Sequence, residues 1–302
     1  MKPSVGDARQ ASSFRRGIVT PLWTRILVLA ILIAPSIWLL ATVPPLWRDS
    51  DGYNQITGKL GEMTIVHFPP LYCFAARIPL YLGKLAECLR SGAELPGTGF
   101  FGAPHLTDTG IFSLVCAQHL LLQFSLWFFV RTLRAAAAAE IVVALLLAAN
   151  ASFYSFAHCV GSEAVSIAAT IWLVALCLRI MRTRLPTPPD WCWLGVSLAA
   201  CIFSRHINAV LVLILPCACV IAAAFRMLRG RFSARRDIVP WLRTATLATL
   251  VGVTSILFAK GAVRLLSHEF HAKIRSTLGS TFLWRLKFLA LMSNSRTSRV
   301  SC

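Results

Sequence analysis

The chain is a succession of apolar runs, several of them long enough to cross a lipid bilayer, joined by links rich in arginine. Crossing about 30 Å of hydrocarbon takes roughly 17 to 25 residues of helix. Runs 26–43, 111–130, 135–151, 164–178 and 207–225 are the clearest, although 164–178 falls a little short, and 242–259 also qualifies although slightly more polar. Run 191–204 is short, and reads as a buried or broken span or as half of a hairpin with the run after it. Backbone inside hydrocarbon must satisfy its own polar groups, which such runs do as helices. The expected fold is all-α: a polytopic transmembrane helical bundle of about seven spans.

Composition agrees. Of 302 residues, 57% are apolar and 14% charged, against about 25% charged in a soluble domain. The net charge of +18 does not point to nucleic acid, because the bases form short clusters between apolar runs and lack a helix-turn-helix or zinc-finger context. Lysine and arginine in short loops mark the cytoplasmic side. Lys2, Arg9, Arg15, Arg16 and Arg25 precede the first run, Arg131 and Arg134 follow the second, Arg179, Arg182 and Arg184 follow the fourth, and Arg226, Arg229, Arg231, Arg235, Arg236 and Arg243 surround the link before the last. With a cytoplasmic N-terminus, seven spans place all of these inside. The expected organisation is a cytoplasmic segment 1–25, a membrane core 26–262 with an outer loop 44–110, and a basic outer tail 263–302. The apolar patch 282–292 is too short and interrupted for a span. Run 26–43 is long for a cleaved signal and no small-residue site follows it.

The outer loop is the one part of the chain that is not basic. From Arg48 to Asp108, six acids (Asp49, Asp51, Glu62, Glu87, Glu94, Asp108) stand against five bases (Arg48, Lys59, Arg77, Lys84, Arg90), so half of the twelve carboxylates lie here. Asp49-Ser50-Asp51 opens it, directly beyond the first span. Such a pair alone reads as solvated surface; at a membrane mouth it is also placed for chemistry on a lipid-borne substrate.

Further along the loop, His67-Phe68-Pro69-Pro70-Leu71-Tyr72 is a fixed bend, since two prolines cannot continue a helix. From Leu71 onward, Phe74, Ile78, Leu82, Leu85 and Leu89 recur at helical spacing with Arg77, Lys84 and Glu87 on a polar side. That pattern predicts an interfacial helix with an irregularity at Pro79. The glycine- and proline-rich stretch 91–110 reads as surface loop.

Two charges flank later runs on the same side. Glu163 opens the fourth span, where a carboxylate is costly unless it faces protein, water or a partner; it also suits a helix N-terminus, with Ser162 as a cap. Arg205 divides two apolar runs, beside His206. Its guanidinium either snorkels to headgroups or offers a planar donor fork to a lipid-borne phosphate. Cys116, Cys177, Cys201, Cys217 and Cys219 lie in apolar runs as small hydrophobes. Cys73 and Cys88 share the outer loop, where an oxidising compartment permits a disulfide. No HExxH, CxxC pair or glycine-rich phosphate loop is present, which removes the usual soluble metal and nucleotide readings; no cofactor or metal is expected.

Asp49-x-Asp51-x-Tyr53 after the first span, followed by Phe68-Pro69-Pro70-Leu71-Tyr72, resembles the first outer loop of GT-C membrane glycosyltransferases, especially bacterial relatives of dolichyl-phosphate-mannose protein mannosyltransferases. Ser162-Glu163-Ala164 opening a later span and Arg205 between two hydrophobic helices are similar to that group as well, over residues 16–225. The resemblance implies transfer of a sugar from a polyprenyl-phosphate carrier to an acceptor on the outer face, with inversion. The general base then corresponds to Asp49 or Asp51, with Asp49 preferred because it stands nearest the membrane, and Arg205 to the group that stabilises the departing phosphate. Glu163, His206, His67 and Tyr53 become substrate-binding candidates. The implied partners are the lipid-linked donor, membrane lipids and an acceptor glycan, lipid or protein. Members of the group usually continue through further spans, so a truncated or divergent short form is expected. The rival expectation is a non-catalytic transporter or assembly protein for lipid-linked sugars.

Overall fold

A computed structural model describes residues 21–47, 56, 70–92, 106–183, 186–228 and 239–269. Their element order is α1 (Leu22–Thr42), β1 (Leu46–Trp47), α2 (Pro70–Ser91), α3 (Asp108–Leu133), α4 (Ala137–Ala148), α5 (Ala151–His158), β2 (Cys159–Val160), α6 (Glu163–Arg182), α7 (Pro188–Ser204), a 3-10 segment (His206–Leu213), α8 (Ile214–Leu228) and α9 (Val239–Glu269). The chain is an all-α polytopic helical bundle.

Among the described residues, five helical stretches are long and apolar enough to cross a membrane: α1, α3, α6, Ile207–Phe225 and most of α9. A sixth arises if α4 and α5, bent by 54° about their break, form one span. The seventh expected run lies within α7, whose 17 residues extend about 25 Å. Large apolar side chains cover the outside, among them Ile26, Ile37 and Trp38 on α1, Leu120 and Phe124 on α3, and Leu257 and Phe258 on α9. Polar side chains lie inside: Ser36, Gln118, His119, Gln123 and His158 are buried. An apolar exterior over a partly polar interior suits lipid as the surrounding solvent.

Three apolar clusters hold the bundle. The first joins α1, α3, α4 and α5 through Val28, Leu32, Leu122, Leu126, Ala144 and Tyr154. The second joins α6, α7, the 3-10 segment, α8 and α9 through Leu173, Ile180, Leu194, Leu198, Val212 and Leu215. The third packs Tyr72, Ala76 and Leu80 of α2 against Leu114 and Val115 of α3 and Val160 of β2. Beyond these, α3 lies along both α2 and α6 and links the clusters.

Helix α2, expected to lie in the membrane interface, differs from its expected orientation in one respect. The apolar stripe does face away from protein, with Ile78, Leu82 and Leu89 exposed, but Arg77 is buried on the side facing the bundle. Small residues make that side: a Cβ on Gly83 would fall 2.6 Å from the Gly110 Cα and the Thr109 carbonyl of α3. Pro79 lies within an unbroken helix. The same continuity excludes a Cys73–Cys88 disulfide, since both lie on α2 and are not joined, fifteen residues or about 22 Å apart along its axis. Between α4 and α6 the chain forms helix α5 and strand β2 over 151–160.

Candidate functional site

One end of the bundle carries a two-stranded parallel sheet. Leu46 pairs with Cys159 and Trp47 with Val160, so β1 and β2 leave the sheet in the same direction. β1 leads towards Asp49, two residues beyond Trp47, and β2 leads to Glu163, three residues beyond Val160. Asp49, Asp51, Tyr53 and His67 themselves lie outside the described residues.

Glu163 is the first residue of α6, and Ser162 before it makes no side-chain cap bond, contrary to expectation. What holds the carboxylate is Arg205, whose Nη2 donates to Glu163 Oε1 across 42 positions of sequence. A Cβ at Gly161 would fall 2.5 Å from Glu163 Oε2, so glycine leaves the space the carboxylate occupies. The two charges are unequally buried: the Glu163 side chain is 15% exposed and that of Arg205 42%. The guanidinium is therefore the part of the pair that solvent, a headgroup or a substrate anion can reach.

Arg205 owes its place to a break in the helix. It is extended (φ −154°, ψ 130°) between α7 and the 3-10 segment. Ser204 Oγ donates to the Cys201 carbonyl at 2.8 Å, and Asn208 Nδ2 donates to the same carbonyl at 3.0 Å and to Ser166 Oγ of α6 at 2.8 Å. These bonds add to the Arg205 N–H that already donates to the Cys201 carbonyl at 3.1 Å, and they tie the Arg205 corner to the α6 turn carrying Glu163. His206 opens the 3-10 segment; only its backbone position is described.

A second set of polar residues fixes the sheet from below, and sequence reasoning passed over it. Tyr72 Oη donates to Gln118 Oε1 at 3.0 Å, and Gln118 Nε2 donates to the carbonyls of Ala157 and Cys159 at 2.9 and 2.8 Å. Burial raises the Tyr72 phenol well above its ordinary value, a backbone bond from Gly161 opposes the shift, and the Glu163 charge adds to it. The phenol therefore stays protonated and remains a donor. Tyr72, in the first turn of α2, is thus an anchor that joins α2, α3 and the strand leading to Glu163. Beside it, Ser36, His119, Gln123 and His158 form a buried polar chain. The available signal was polar residues inside otherwise apolar runs, which are costly in hydrocarbon and so demand an explanation.

Among the described residues no group of three or more His, Cys, Asp or Glu side chains is arranged to hold a metal ion. What the site offers is a half-exposed guanidinium held by a carboxylate, next to a sheet whose other strand runs into an acidic pair. No protein-family model matches the chain, and neither a curated protein nor a solved structure is significantly similar to it.

Proposed function

We propose that the protein is an integral membrane glycosyltransferase of GT-C type, transferring a sugar from a polyprenyl-phosphate donor to an acceptor on the outer face of a bacterial inner membrane. The observation that supports this most is the parallel pairing of β1 with β2. The two strands leave the sheet in the same direction, and in sequence one precedes the acidic pair and the other Glu163, which supports a shared mouth.

Such a site suits the reaction. The leaving group is already a phosphate and needs charge neutralisation more than protonation, which Arg205 supplies once the donor competes with Glu163 for the guanidinium. Asp49, assisted by Asp51, takes the proton of the acceptor hydroxyl as its oxygen attacks the anomeric carbon. The carbon–oxygen bond to phosphate breaks on the opposite side, so configuration inverts. Tyr53, His67, Glu163 and His206 line the sugar. Seven spans with a cytoplasmic N-terminus put this mouth outside, where the apolar stripe of α2 rests in the lipid interface.

The test is transfer of radiolabelled sugar from a polyprenyl-phosphate donor in membranes. Asp49→Asn or Asp51→Asn is expected to lower transfer by about 10²-fold or more, and full activity in both would overturn the catalytic reading in favour of a transporter or assembly protein.

A further inference from the structure

The buried polar chain has a fixed direction. Gln123 Nε2 meets Ser36 Oγ at 2.6 Å, Ser36 Oγ meets His119 Nδ1 at 2.8 Å, and His119 Nε2 meets His158 Nδ1 at 3.3 Å. His158 Nε2 lies 2.9 Å from the Val43 carbonyl oxygen and 3.1 Å from that of Pro44. A carbonyl only accepts, so His158 Nε2 carries a hydrogen. A neutral His158 then accepts at Nδ1, His119 donates from Nε2 and accepts at Nδ1 from the Ser36 hydroxyl, and Ser36 accepts from the Gln123 amide. Every bond points from the interior towards the sheet end. Because the chain stops at carbonyls, it carries no proton onward; it holds two backbone groups in place.

Those two groups are where the chain leaves α1 for β1. Val43 is the C-cap of α1 and Pro44 lies two residues before β1, while His158 directly precedes Cys159, the β-partner of Leu46. One imidazole therefore ties the start of β2 to the approach of β1, independently of the sheet bonds. We infer that His158, held in one tautomer by His119 and Ser36, is a positioning residue for β1, setting the register in which Leu46 and Trp47 pair with β2. The inference rests on the proposed reaction only for its consequence in catalysis.

The test reads register directly. In a protein that keeps Cys159, carries Leu46→Cys and has its other cysteines replaced by alanine, a short bifunctional thiosulfonate joins positions 46 and 159. A second protein with Thr132→Cys and Arg182→Cys reports the opposite end, where Arg182 Nη1 donates to the Thr132 carbonyl. His158→Ala is expected to slow the 46–159 link about tenfold and to leave the control pair unchanged, while His158→Gln, whose amide nitrogen can take the Nε2 place, stays within about twofold of the parent. An unaltered rate in His158→Ala, or equal slowing of both pairs, overturns the inference. If His158→Ala does not fold, His119→Leu serves instead, with about threefold slowing expected and an unchanged rate contradicting it. No sugar transfer enters this readout, so full transfer activity in Asp49→Asn would remove the proposed reaction without touching it. In the transfer assay the positioning role predicts that His158→Ala lowers kcat and leaves the donor KM unchanged; loss through KM alone contradicts it.

Discussion

Glu163 and Arg205 have unequal stakes in their pairing. Removing Arg205 leaves the more buried charge without its guanidinium, whereas removing Glu163 leaves a guanidinium that already reaches solvent. Arg205→Gln should therefore cost about 1–3 kcal/mol of stability and Glu163→Gln less than about 1 kcal/mol, measured as thermal unfolding of the purified protein in detergent. Equal costs would mean the pair is not the asymmetric contact described. Cys73 gives a test by pH. Burial pushes its thiol up to about 11, with the Arg77 guanidinium pulling the other way. At pH 8 only about one molecule in a thousand then carries the thiolate, so peptide mapping after alkylation should find Cys73 unmodified at pH 8 and increasingly labelled as pH rises towards 11. Rapid labelling at pH 8 would show that the buried face of α2 is open. Both Glu163 and Arg205 are visible in the sequence as charges at the edges of apolar runs. Their union is not, because the residues between them, across a separation of 42 positions, carry no sign of which helix ends meet.

At the scale of elements, the apolar runs translate into helices almost one for one, since length and hydropathy decide that outcome locally. The bend between α4 and α5 was not legible, because Asn150 is a weak breaker and the interruption is fixed by the Tyr154 hydroxyl reaching the Leu32 carbonyl of α1 at 3.0 Å. The face of α2 was legible in its apolar stripe and misread at Arg77. Periodicity sorts a helix into two sides but does not say that the small-residue side will press against a neighbour. Gly83 carries that contact. Gly83→Ala brings a Cβ within 2.6 Å of α3 backbone, and should destabilise the protein by about 1–3 kcal/mol, read again as a fall in unfolding temperature. An unchanged midpoint would show that α2 and α3 separate freely. Gln118→Ala removes three bonds at once, leaving the Tyr72 phenol and the carbonyls of Ala157 and Cys159 without it, for an expected loss of about 3 kcal/mol.

For the whole molecule, charge and structure divide the bundle into two dissimilar ends. At the end opposite the sheet, Arg131 pairs with Glu140 at 3.2 Å, Arg179 with Asp190 at 3.0 Å, and Arg182 reaches the C-terminal carbonyls of α3. The arginines that favour a cytoplasmic location thus also fasten helix ends together. The sheet end carries the reactive candidates, and a cysteine at position 50 should react with a membrane-impermeant maleimide added from outside intact cells; labelling only after permeabilisation would reverse the topology. The acidic pair Asp49 and Asp51 and the guanidinium of Arg205 are proposed to act on one transition state. The direct measurement is a double-mutant comparison of kcat/KM for the polyprenyl-phosphate donor in Asp49→Asn, Arg205→Gln and the combined variant. Each single change is expected to cost about 10²- to 10³-fold and the combination little more than the worse of the two, as for residues that work as a unit. Full activity in either single variant would contradict the account.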